Sequence, residues 1–189
     1  MEIIKTNIEG PVIIEPKIFG DARGYFFESF SQREFDEKVR PIKFVQDNES
    51  KSCYGVVRGL HFQTGKYAQS KLLRVVTGRV LDVVVDIRKG SPTFGKSVVV
   101  ELSEENKKQL FVPKGFLHGF VTLTDNVEFS YKVDDYYSPE NDRSVCFCDE
   151  VFGIDWGIEN PILSEKDIKA PKFCDSDVRF FYERAESLK

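Results

Sequence analysis

An all-β sandwich or barrel is the fold this chain predicts, on three observations. Short apolar segments of strand length recur along it, with turn residues between them. Seventeen Phe and seven Tyr stand against one Met and one Trp, a composition suited to packing on sheets. Helical patterning is scarce.

The 189 residues read as one domain over 1–189, long enough to bury a sizeable core. A hydrophobic fraction of 41% and an aromatic fraction of 13% belong to a folded chain rather than a disordered one. Net charge of -4 and a pI near 5.4 argue against nucleic acid as the main partner. A small anionic ligand stays compatible, because a few local Arg and Lys outweigh the global field. No run is long enough to span a membrane, so no membrane partner is expected. The first residues show no basic segment followed by a long apolar one, and a cytoplasmic location is expected. Cys53, Cys146, Cys148 and Cys174 form no Cys-x-x-Cys pair and read as reduced thiols; Cys146 and Cys148 alternate and should share a strand face.

In chain order, strands are expected at 12–14, 25–27 and 54–62. The stretch 71–87 holds two more, joined by a tight hairpin at Thr77-Gly78-Arg79. Others follow at 96–102, 109–112, 120–123 and 127–133. Within 81–87, Leu81, Val83, Val85 and Ile87 share one face; Asp82, Val84 and Asp86 share the other. Ser31-Gln32-Arg33-Glu34 has capping-box spacing and opens a short helix to about Val39, ended before Pro41. Asp177 caps a terminal helix over 177–188, the peripheral helix expected within 172–189.

Only two histidines occur, in Arg58-Gly59-Leu60-His61-Phe62-Gln63 and in Lys114-Gly115-Phe116-Leu117-His118-Gly119-Phe120. Imidazole is the side chain that titrates near neutrality. A three-His metal site is excluded by count, and no His-x-Asp/Glu spacing occurs, so no metal is expected. A strand histidine is often a core residue bonded to backbone. Arg58 and Lys71 in neighbouring strands stand against that reading and equally allow a polar pocket for an anion, such as a phosphate. Arg58 and His61 are three apart, so a regular strand sends them to opposite faces. A bulge at Gly59 would bring them together. Gln46 and Asn48 share a face without any such device. Tyr131 reads first as an ordinary strand aromatic, and Ser164-Glu165-Lys166-Asp167 as a capped helix start.

The ordered set of motifs decides between these readings. It comprises Asp21-Ala22-Arg23-Gly24-Tyr25-Phe26-Phe27-Glu28, Phe44-Val45-Gln46-Asp47-Asn48, the Arg58–Gln63 run and Lys71-Leu72-Leu73-Arg74. It continues through Ser91-Pro92-Thr93-Phe94-Gly95, 113–120, Tyr131-Lys132 with Tyr136-Tyr137, Gly153-Ile154-Asp155-Trp156 and 161–167. From about Ile13 to Pro171 the chain resembles the dTDP-4-dehydrorhamnose 3,5-epimerase family. That resemblance implies a cupin-type double-stranded β jelly roll with a few short peripheral helices, a homodimer, no cofactor, and a dTDP-linked 4-keto-6-deoxy sugar as substrate. It implies His61 as base, Asp167 as its orienting carboxylate, Tyr131 as acid and Lys71 as the cation near the keto oxygen. It implies Arg23, Glu28, Gln46, Asp47, Asn48, Arg58, His118 and Lys166 as substrate contacts and Tyr137 as the ring stacked on thymine. Asp142 stands where the family commonly has a substrate-contacting Glu. The alternatives are a relative that inverts one carbon or uses another nucleotide sugar, and a non-catalytic sugar-nucleotide-binding cupin.

Overall fold

The computed structural model of the chain describes residues 1–183. Its elements are β1 (Glu2–Lys5), β2 (Val12–Glu15), β3 (Phe19–Asp21), β4 (Gly24–Phe26), α1 (Gln32–Lys38), β5 (Gln46–Ser52), β6 (Val57–Gln63) and β7 (Lys71–Thr77). Then come β8 (Arg79–Asp86), β9 (Ser97–Ser103), β10 (Gln109–Val112), β11 (Phe116–Thr122), β12 (Val127–Val133), β13 (Asp142–Ser144) and α2 (Glu165–Ile168). One sheet has the order β1-β2-β10-β7-β12-β5, and the other β13-β6-β11-β8-β9. β3 and β4 form a separate hairpin. Two packed antiparallel sheets make the expected jelly roll.

Parity along the strands builds three apolar layers. Leu73, Val75, Leu110, Val127 and Phe129 of the six-stranded sheet meet Val80, Val84, Val98, Val100, Leu102, Phe116 and Phe120 of the five-stranded sheet. The outer face of the five-stranded sheet offers Val57, Phe62, Val83, Val85, Leu117 and Val121. Chain from 145 onward covers it with Val145, Phe152, Trp156 and Val178. The outer face of the six-stranded sheet is covered by α1 through Phe35, with Phe30 and Phe44 beside it. The five-stranded sheet is therefore buried on both faces, which explains the continuous Val83-Val84-Val85 run inside β8. Ser31 caps α1 as expected, accepting from the Glu34 N–H.

Three local expectations are corrected. Residues 77–79 are not a hairpin, because β7 and β8 lie in different sheets. Gly78, at φ 80°, passes the chain between sheets, and Val75 and Val80 on either side of it both enter the shared core. Residues 177–183 contain no helix; they run extended along Lys89. The Lys89 N–H donates to Phe180 and its carbonyl accepts from Tyr182, at 2.8 and 2.9 Å. Val178 and Phe180, two apart, both join the outer core, a period-two pattern that outcompetes a helix. Asp177 does not cap; it accepts from Arg143 Nε at 3.1 Å. The remainder of that expected helix, 184–189, lies outside the described residues. Cys146 and Cys148 sit on a reverse turn rather than a strand, since the Asp149 N–H donates to the Cys146 carbonyl at 3.2 Å. Among the described residues no helix is long and apolar enough to cross a membrane.

Candidate active site

Both sheets contribute to one cavity of about 200 Å³. His61, Arg58, His118 and Phe120 reach it from the five-stranded sheet. Lys71, Tyr131, Phe129, Glu49 and Ser50 reach it from the six-stranded sheet. Asp167 and Ser164, from the start of α2, close one side.

The bulge expected at Gly59 is what places Arg58 beside His61. His61 is in register with His118, but Arg58 is in register with Phe120, so β6 spends three residue steps where β11 spends two. Gly59 has φ 127°, and a Cβ there would lie 2.6 Å from Gly119 Cα. Only glycine satisfies both the backbone angle and the close approach. Arg58 then spans to the facing sheet, donating from Nε and Nη2 to Ser52 Oγ at 3.2 Å. Among the described residues it has no carboxylate partner, which leaves its charge for an anion.

His61 Nε2 is 2.5 Å from Asp167 Oδ1. The second oxygen, Oδ2, accepts from Ser164 Oγ at 2.9 Å, while Ser164 Oγ accepts from the Asp167 N–H at 3.1 Å. The capping serine of α2 thus fixes the carboxylate that fixes the imidazole. Burial is the largest single influence on Asp167 and raises its pKa; the bond and charge of His61, the Ser164 bond and Lys166 outweigh it, and the carboxyl falls below its ordinary value. An ionised Asp167 holds the proton on Nε2. Nδ1 has no protein partner among the described residues and is free to act as a base.

The second histidine is paired differently. His118 Nε2 lies 2.9 and 3.1 Å from the two oxygens of Asp82, a buried residue on β8. Burial pushes His118 below the usual imidazole value against the pull of Asp82. Burial likewise pushes Asp82 up, against His118 and Lys71. Lys71 is pushed down to about 8 by burial, opposed by the charges of Asp142 and Asp82. Burial raises the Tyr131 phenol, with Arg58 opposing and Asp142 adding to the rise. Tyr131 therefore keeps its proton at neutral pH, and it stands on the sheet facing His61.

The remaining expected residues divide. Gln46 Nε2 donates to Asn48 Oδ1 at 2.8 Å, and Gln46 Oε1 accepts from the Tyr137 N–H at 3.3 Å. Tyr137 Oη donates to Asp142 Oδ2 at 3.2 Å, and Lys166 forms an ion pair with that same carboxylate. Asp142 acts on both Lys71 and Tyr131, so this cluster borders the cavity. Asp47, Arg23 and Glu28 are not gathered with His61. Asp47, one residue from Asn48, takes the opposite parity and pairs with Lys132 at 2.9 Å, beside a neighbouring depression. Arg23 sits at the β3–β4 turn, 90% exposed and bound to Asp21. Glu28 lines a separate cavity of about 320 Å³ beneath that hairpin. Sequence reasoning missed Asp82 and Ser50 as site residues, although parity in β8 and β5 was the available signal. It read Ser164 as a cap only, though a cap three residues before a buried Asp carries the second role as well. Among the described residues no cluster of three or more His, Cys, Asp or Glu is poised for a metal.

The family model described as dTDP-4-dehydrorhamnose 3,5-epimerase matches residues 5–175. A Shigella flexneri protein of that description is 55% identical over 178 residues, 94% of this chain and 98% of the relative. A Legionella pneumophila structure, dTDP-6-deoxy-D-glucose-3,5-epimerase in complex with dTDP-4-keto-L-rhamnose, shares 47% identity and a TM-score of 0.92, over 96% of this chain and 98% of that one. A 3'-monoepimerase from Streptomyces bikiniensis, in complex with dTDP-quinovose, shares 33% identity and a TM-score of 0.85, over 90% and 87%.

Proposed function

The chain belongs to the dTDP-4-dehydrorhamnose 3,5-epimerase family, and we propose that its cavity runs the reaction with His61 as base and Tyr131 as acid. The protein is an isomerase that epimerises dTDP-4-keto-6-deoxy-D-glucose at C3 and C5 to dTDP-4-keto-L-rhamnose, a step of dTDP-L-rhamnose biosynthesis. The ketone at C4 acidifies the hydrogens on both neighbouring carbons. His61 Nδ1 removes one of them, and the resulting imidazolium is stabilised by ionised Asp167. Charge develops on the C4 oxygen, and the Lys71 ammonium stabilises it. The Tyr131 hydroxyl returns a proton from the opposite face of the ring, which inverts the carbon. Repetition at the second carbon completes the product.

The observation that supports this most is the placement of a base and a protonated phenol on facing sheets of one cavity. A sugar ring between them would present one face to each. Arg58, with no acidic partner among the described residues, suits the diphosphate; Tyr137, 56% exposed, suits stacking on the thymine. Gln46, Asn48, His118, Asp142 and Lys166 complete the substrate contacts. His118, hydrogen-bonded to Asp82, orients a polar group of the sugar rather than moving its proton.

A homodimer accounts for Arg23 and Glu28. The β3–β4 hairpin leaves Phe19, Tyr25 and Phe26 exposed, an apolar group that a second copy would cover. We assign that hairpin to the partner's cavity, where Arg23 and Glu28 would reach the ligand. A single domain acting in the cytoplasm, with no metal or organic cofactor, completes the proposal.

Proton NMR in D₂O with dTDP-4-keto-6-deoxyglucose tests it. Deuterium at both C3 and C5 is expected. Label at one carbon alone would move the chain to the monoepimerase reading. Substrate binding without any exchange would make it a binding protein.

A further inference from the structure

Cys53, Cys146, Cys148 and Cys174 are all free thiols, and the epimerase chemistry uses none of them. Two of them are held together. Cys146 and Cys148 are the first and third residues of the turn that follows β13, and their Sγ atoms lie 3.3 Å apart. A strand, rising ~3.3 Å per residue, would set residues two apart at the upper edge of the ~4.4–6.8 Å Cα separation a disulfide spans; the turn shortens that separation.

Several bonds fix the turn from outside. The Cys146 N–H donates to the Pro171 carbonyl at 2.8 Å. Trp156 Nε1 donates to the Phe147 carbonyl at 2.9 Å. The Asp149 carboxylate accepts from the Phe173 N–H at 2.7 Å. Cys148 is exposed and Cys146 partly so, within reach of a small oxidant. The hydrogen bond with Cys146, then burial, pushes the Cys148 thiol up.

We propose that Cys146 and Cys148 are an oxidisable dithiol that a small-molecule disulfide converts to one disulfide within the turn. Two S–H bonds break and one S–S bond forms. The two electrons and two protons pass to the oxidant, whose own S–S bond becomes two thiols. The turn is joined to the site through its neighbours on both sides. Ser144, just before it, is in register with His61, and Pro171 follows α2, which carries Asp167. Closing the ring draws the sulfurs from 3.3 Å to ~2.05 Å and pulls on the segment between these two anchors. Oxidation should therefore lower turnover. That coupling rests on the epimerase reading; the disulfide itself does not.

The test incubates the full-length protein with oxidised glutathione, blocks remaining thiols with N-ethylmaleimide, and maps the digested peptides by mass spectrometry. The peptide holding Cys146 and Cys148 should be lighter by two hydrogens and carry no label, while Cys53 and Cys174 are labelled. Turnover should fall several-fold and return with dithiothreitol, and Cys148→Ser should lose both responses. Cys146 and Cys148 labelled as fully as Cys53, or Cys148 joined to Cys174, would overturn the proposal. A disulfide that forms with turnover unchanged would overturn the coupling and leave the dithiol standing.

Discussion

The two histidines of this chain sit opposite each other in one strand pair, each holding a carboxylate, yet their surroundings differ. The His61 side chain is 29% exposed, into the cavity, whereas that of His118 is 8% exposed. Asp167 is held below its usual value by His61, Ser164 and Lys166, although burial, its largest influence, opposes them. Asp82 is pushed up by burial despite His118. An ionised carboxylate stabilises an imidazolium; a carboxyl driven toward neutrality does so less well. In the proposed mechanism the same residue pair serves as a base in one place and as a fixed hydrogen-bonding group in the other, with the supporting serine and the access to the cavity making the difference.

The widest gap between the pairs should appear on removing each imidazole. His61→Asn should lower kcat by about 10²–10⁴ with dTDP affinity retained in calorimetry, the usual value of a positioned base. His118→Asn should cost no more than about ten-fold, mostly in KM, the scale of one hydrogen bond. Equal losses in kcat would erase the distinction.

Lys71→Met comes next, at about 10²–10³ in kcat, the scale of one oxyanion-stabilising group. The pH profile carries the sign. Lys71 is pushed down to about 8, so its charge is present below that pH and lost above it. Activity should fall as pH rises through about 8, and Lys71→Met should lack that limb.

The carboxylates should oppose each other in stability against pH. The folded-state pKa of Asp167 is lowered, so its contribution is present above the ordinary carboxylate pKa and is lost as pH falls through the lowered folded value. The folded-state pKa of Asp82 is raised, so its effect has the other sign: stability falls as pH rises from the ordinary carboxylate value through the raised one. Urea unfolding across that acid range should show the slope shifting in opposite directions for Asp167→Asn and Asp82→Asn. Ser164→Ala is the smallest change. It removes a cap and one bond to Asp167, at about 1 kcal/mol, lowering Tm by about 2–4 °C.

Much of this was legible in the residues. Glycine between Arg58 and His61 announced the bulge, because parity alone could not put both side chains in one pocket. Ser31 announced α1, and the alternation around Val84 separated the two faces of β8, though not which of them joins the inner core. What escaped depended on long-range pairing. Thr77-Gly78-Arg79 has the composition of a hairpin, and only the sheet order shows that it crosses between sheets. Residues 177–183 look like a capped helix until Lys89 supplies their backbone partners. Arg23, at the exposed β3–β4 turn, and Glu28, in a cavity of its own, stand apart from His61 in this chain, and no local pattern in the sequence signals that separation.

Solvent exchange in D₂O with His61→Asn and His118→Asn side by side tests the central claim most directly. The account predicts that His118→Asn still places deuterium at C3 and C5, whereas His61→Asn places it at neither. Exchange by His61→Asn at the wild-type rate would contradict it.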